Sequence, residues 1–81
     1  MNNKAVDNKN IIQNKALVEF INEMTAIRKD LGISQHKLRS LTGIAQPKIC
    51  QLETGKNNNP SVNTLQKIAN ALGKELVIKL V

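Results

Sequence analysis

The sequence predicts a mainly α fold, a bundle of four to five helices followed by one C-terminal β-strand. Three observations predict it. Apolar residues recur every three to four positions over much of the chain, and Gly32, Gly43, Gly55 and Gly73 punctuate that pattern. Only the last stretch, from Glu75 to Val81, takes on the aliphatic, β-branched make-up of a strand. Eighty-one residues suffice for one domain with one modest core.

Residues 1–10 hold four Asn, two Lys and one Asp with little apolar content, the composition of a frayed tail. Such a tail is either without function or a basic arm that lies along a nucleic acid. A helix follows over 12–31. Ile12, Ala16, Phe20, Met24 and Ile27 repeat at helical spacing, and Leu17, Ile21 and Leu31 widen the stripe. Gly32 suits its C-cap, and Arg28 and Lys29 sit favourably in its last turn. Ser34 is the N-cap of a short helix closed by Gly43. A second short helix over 45–54 is closed by Gly55, and Pro47 falls in its first turn, where no intrahelical donor is lost. Helices this short are unstable alone. They must pack together through Leu38, Leu41, Ile44, Ile49 and Leu52, with Cys50 as a small, partly buried filler. Residues 56–60 form a loop, from their Asn run and Pro60. Ser61 then caps a helix whose stripe is Val62, Leu65, Ile68, Ala69 and Leu72. The chain thus divides into a tail over 1–10, a helical domain over 11–73 and a strand over 74–81.

Composition removes several functions. Hydrophobic residues make up 41%, but Phe20 is the only aromatic, which excludes the stacking platforms that bind single strands. A single Cys (Cys50) and a single His (His36) cannot build an internal disulfide or a four-ligand structural zinc site, so no metal and no cofactor are expected. There is no nucleophile with a base at useful spacing and no phosphate loop, so an enzyme is not expected. No apolar run is long enough to cross a bilayer and the N-terminus has no signal core, so a cytoplasmic location is expected. Twelve basic residues against six acidic ones leave a net charge of +6, which points to a polyanion or merely aids solubility.

The segment 34–55 has the spacing of a helix-turn-helix. A capped helix, a glycine turn and a second short helix with Ile49 and Leu52 facing inward leave the outer face of that second helix free to enter a major groove. The same stretch resembles the Cro/cI-type (XRE) helix-turn-helix regulators of phages and bacteria. The matching residues are Gly32, Ile33, Ser34, Gln35 and Leu38; then Thr42 through Pro47, Ile49, Leu52, Glu53 and Gly55; then Pro60, Ser61, Thr64, Leu65, Ile68, Ala69, Ala71, Leu72 and Gly73. They span half of the chain in an ordered pattern. Two positions depart from it. Arg39 stands where the family prefers a small residue, and Ala45 stands where it prefers Ser or Thr, which removes a helix cap.

The resemblance implies a lambda-repressor-like bundle that binds double-stranded DNA, and it places the base-reading positions at Gln46, Pro47, Lys48 and Gln51. Chemistry agrees with those residue types: Gln pairs with adenine and Lys donates to guanine. A plain solvated face is the alternative. The resemblance also assigns phosphate contacts to Gln35, Lys56 and Asn57. Lys37 is a cation in a helix first turn, where the dipole disfavours it, so either a phosphate or solvent accounts for it. Glu53 is an acid at a helix C-terminus and needs a cationic partner; the family pairs this position with an Arg, here Arg28, as a structural ion pair. His36 is expected at the surface.

Leu76, Val77, Ile78, Lys79 and Leu80 need a second strand to satisfy their backbone, and the chain offers no other strand candidate. Pairing with the same segment of a second copy would give a two-fold dimer; the alternative is an extended tail packed on its own domain. A terminal strand of this kind resembles those of some antitoxins of toxin–antitoxin modules. Two functions follow as expectations: a dimeric repressor of a pseudo-palindromic operator, and an antitoxin that neutralises a partner toxin and represses its own operon. Neither requires a membrane or a small-molecule ligand.

Overall fold

A computed structural model describes residues 15–57 and 59–81. Among these the chain forms four helices, α1 (Lys15–Asp30), α2 (Gln35–Thr42), α3 (Gln46–Glu53) and α4 (Val62–Ala71). The expected tail over 1–10 and the start of the first helix at 12 lie outside the described residues. α2 packs on both α3 and α4, and α1 packs on α3. The core between them is aliphatic: Leu38, Ile49, Leu52 and Ile68 are fully buried, with Met24, Ile44 and Leu72 beside them and Phe20 only half-buried at the edge. Among the described residues no helix is long and apolar enough to cross a membrane.

Local chemistry sets each boundary. Ser34 caps α2 by accepting from the Lys37 amide at 2.9 Å, and Ser61 caps α4 by accepting from the Thr64 amide at 3.1 Å. The turn between α2 and α3 is three residues long. Gly43 adopts φ +78°, a conformation that costs other L-residues about 1–2 kcal/mol. The Thr42 hydroxyl donates to the Leu38 carbonyl at 2.7 Å and accepts from the Ile44 amide at 3.1 Å. Ile44 is buried, so the turn is pinned to the core as it reverses. α3 begins at Ala45 with no side-chain cap and ends in paired reverse bonds, Gly55 N–H to the Leu52 carbonyl and Lys56 N–H to the Gln51 carbonyl. Burial of Ile49 and Leu52 contributes roughly 1.5–3 kcal/mol each, against about 1 kcal/mol for the missing cap. Packing therefore holds this two-turn helix.

Five expectations about burial are corrected. Ala16 is exposed in the first turn of α1. Leu41 is about half exposed because it lies on the flank of α2, over an open groove against Lys67, Asn70 and Ala71 of α4, while Leu38 takes the core position. Leu31 is exposed because α1 stops at Asp30 and Leu31 falls in the turn. Val62 is exposed, and the buried residue of the first α4 turn is Thr64, whose hydroxyl lies 3.0 Å from that of Ser61 and so is satisfied inside. Cys50 is exposed, since one residue past Ile49 the helix has turned its side chain away from the core.

Residues 74–81 carry no strand hydrogen bonds in the single chain, because a strand needs a second strand to pair with and none exists among the described residues. Leu76 is half-buried, and with Val77 it lines a cleft against Phe20, Met24, Ile27 and Leu72. Val77, Ile78 and Leu80 are exposed apolar residues.

The uncapped start of α3 gives a test. Ala45→Ser supplies a side-chain acceptor to the Lys48 amide, which in the wild-type chain donates only to the Ala45 carbonyl at 3.0 Å, and is expected to stabilise the fold by about 1 kcal/mol. An urea unfolding midpoint that stays level or falls would contradict this account of the α3 start.

Candidate nucleic-acid interface

α1 builds the base of the site through one unusual member of its buried face. Leu17, Ile21 and Met24 continue at helical spacing into Arg28, which is 8% exposed. Its guanidinium makes a two-pronged contact with Glu53 at the end of α3: Nε donates to Oε2 at 2.7 Å and Nη2 donates to Oε1 at 2.9 Å. Nη1 donates to the Ile33 carbonyl at 2.8 Å, and the Ile33 amide donates back to the Arg28 carbonyl at 2.9 Å. Gln35, the first residue of α2, donates from Nε2 to Glu53 Oε1 at 2.9 Å. One carboxylate thus ties α1, the α1–α2 turn, the start of α2 and the end of α3. The Gln35 bond had no signal in the sequence, since the two residues are 18 positions apart and meet only after the helices pack.

Burial alone would raise the Glu53 pKa. The hydrogen bonds from Arg28 and Gln35, with the positive charges of Arg28 and Lys29, outweigh it and hold the carboxyl below the ordinary carboxylate value. Glu53 is therefore ionised at neutral pH, although it sits at a helix C-terminus where the dipole disfavours it.

With Ile49 and Leu52 inward and Glu53 turned to Arg28, the rest of α3 faces solvent. Gln46, Pro47, Lys48, Cys50 and Gln51 are all exposed. Pro47 and Gln51 stand one turn apart on the side opposite the core, and Lys48 is on a flank. Among the described residues the Gln46, Lys48 and Gln51 side chains make no internal hydrogen bond, so their donors and acceptors are available. Lys37 and Lys56 are exposed, and Gln35 and Asn57 are half-buried. The Asn57 side-chain oxygen accepts from the Asn59 amide at 3.1 Å, which shapes the loop after α3. His36 is exposed. Of the six cations over 28–56, five (Lys29, Lys37, Arg39, Lys48, Lys56) are exposed and Arg28 is buried on Glu53.

The helix-turn-helix family matches residues 24–78 of the chain. An uncharacterized HTH-type transcriptional regulator of Haemophilus influenzae is 44% identical over 61 residues, which cover 75% of this chain and 61% of that protein. The chain thus spans somewhat less than two thirds of the length of that curated relative. Among solved structures, a chain of a toxin–antitoxin module from Streptococcus pneumoniae superposes with a TM-score of 0.71 at 34% identity, over 90% of this chain and 79% of that one.

The Glu53 clamp predicts a pH dependence with a defined sign. A carboxyl whose folded pKa lies below its unfolded value, about 4.3, adds stability in full above that value and loses it as pH falls through the folded one. Glu53→Gln is expected to cost about 2–3 kcal/mol at pH 7, because a buried guanidinium keeps only a neutral acceptor. The gap between the unfolding midpoints of wild type and variant should close on acidification below pH ~4. A gap that is small at pH 7, or constant with pH, would contradict the clamp.

Proposed function

Because the chain belongs to the helix-turn-helix family, of the XRE type, we propose that it is a sequence-specific transcriptional regulator that acts in the cytoplasm as a repressor on double-stranded DNA. The observation that carries this reading is the α3 face. It is a short helix held by its core side and its C-terminal clamp, with every outward polar side chain unused. Gln46, Pro47, Lys48 and Gln51 read base edges in the major groove. Gln35, Lys37, Lys56 and Asn57 contact phosphates and set the register. Gln35 keeps one side-chain N–H after its bond to Glu53, so the clamp orients the group offered to the backbone of the duplex.

In this reading residues 11–73 are the DNA-binding unit and residues 74–81 the dimerisation strand. Leu76, Val77, Ile78, Lys79 and Leu80 pair with the same segment of a second copy. Support comes from the exposure of Val77 (68%) and Ile78 (66%), which a second copy would cover. Two α3 helices then enter successive major grooves of a pseudo-palindromic operator, ~34 Å apart. Repression follows from occupying the operator. A second reading, an antitoxin that neutralises a toxin protein and represses its own operon, draws on the same exposed segment and on the likeness to a chain of a toxin–antitoxin module. A toxin that co-purifies with the chain would favour it.

The test is a duplex-binding titration across salt concentration. Four phosphates neutralised in a dimer, by Lys37 and Lys56 of each copy, should lower affinity about 10²-fold between 50 and 200 mM salt. Val77→Lys with Ile78→Lys, both exposed in the single chain, should yield a monomer by size exclusion and a shallower salt slope. A flat salt response would contradict DNA binding, and an unchanged size would contradict the strand.

A further inference from the structure

The outward chemistry of α3 is narrower than a basic chain suggests. Around the helix it offers two amides (Gln46 and Gln51), one pyrrolidine ring (Pro47), one thiol (Cys50) and one ammonium (Lys48), all exposed. It offers no guanidinium, because neither arginine of the chain lies on α3 and the nearer in space, Arg28, is buried on Glu53. It offers no carboxylate either, because Glu53 accepts from Arg28 and Gln35.

The major groove rewards these groups unequally. An amide pairs its acceptor and donor with N6 and N7 of adenine. An apolar edge meets the thymine methyl. Guanine is read best by a forked or ammonium donor, and the cytosine amine by a carboxylate. Pro47 and Gln51 face away from the core and meet the groove floor first, while Gln46 and Lys48 stand on opposite flanks. We infer that each half-site is built of A·T pairs where it lies under Gln46, Pro47 and Gln51, and that guanine is read only at the edge within reach of Lys48. This inference rests on the DNA-binding reading and adds to it the class of base that the operator must contain. Gln46 and Gln51 read adenine and Pro47 reads a thymine methyl.

The experiment is selection of duplexes from a random pool by the full chain, followed by affinity measurements on the enriched sequence carrying single base replacements. Uracil in place of thymine removes the methyl group, and 7-deazaadenine in place of adenine removes the N7 acceptor. The expected result is A·T enrichment in the centre of each half-site. At the adenines read by Gln46 and Gln51, 7-deazaadenine should weaken binding roughly 5- to 150-fold, the discrimination of a bidentate pair, and uracil should weaken it by a smaller factor at one thymine. Gln51→Ala, a change at an exposed position, should abolish the response to 7-deazaadenine at one adenine and leave the other intact. Enrichment of G·C pairs at the central positions would overturn the inference while leaving DNA binding in place. So would A·T enrichment that ignores both base replacements and the Gln51→Ala variant, since the groove floor would then not be what is read. A pool from which no duplex is retained at low salt would overturn the DNA-binding reading itself.

Discussion

The contact between Arg28 and Glu53 is the constraint on which the arrangement of the helices depends. The core is aliphatic, and aliphatic burial is strong but has no direction. Leu38, Ile49, Leu52 and Ile68 draw the short helices together, yet they would tolerate α3 rotated or slid by a fraction of a turn. The two parallel bonds from one guanidinium to one carboxylate have a fixed geometry. They set the end of α3 against α1, while Gln35 brings the start of α2 to the same carboxylate. The clamp also removes the one acid of α3 from its outer face. A single ion pair thus fixes the orientation of the helix and clears its surface of negative charge.

That role explains why charged groups occupy part of a small core. A buried ion pair adds little net stability beside a well-packed apolar replacement, but losing one partner leaves a buried charge uncompensated. In a domain this size the total stability is about 4–12 kcal/mol, scaled from typical per-residue values. The pair is therefore better understood as a device for one geometry than as a store of stability.

Much of this was legible in the residues, and the limits have physical causes. Ser34 and Ser61 announce helix starts by local chemistry, as Gly43 and Gly55 announce ends, because caps and left-handed turns act within a few residues. Arg28 and Glu53 could be paired by the misfit of an acid at a helix C-terminus together with a family resemblance. Gln35 could not, since its bond follows from how α2 docks. Leu41, Val62 and Cys50 show the limit of periodicity: in helices of two to three turns, an apolar residue on the flank has the same spacing as one in the core, and only packing separates them. Residues 74–81 have the aliphatic, β-branched make-up of a strand, but a ladder forms only against a second strand, and none pairs with them among the described residues. Of the net charge of +6, +4 falls on residues 28–56, where six cations meet two acids (Asp30 and Glu53); five of those cations are exposed and Arg28 is spent inside.

The central claim is that the clamp presents the outer face of α3 to DNA. The most direct measurement is an NMR titration of the labelled chain with a duplex enriched by selection, following backbone amides and the side-chain amides of Gln35, Gln46 and Gln51. The account predicts the largest shifts at the start of α3, at Gln35 and at Lys56, with the exposed side of α1 unmoved. Shifts concentrated on α1 or on residues 74–81, with α3 silent, would contradict it.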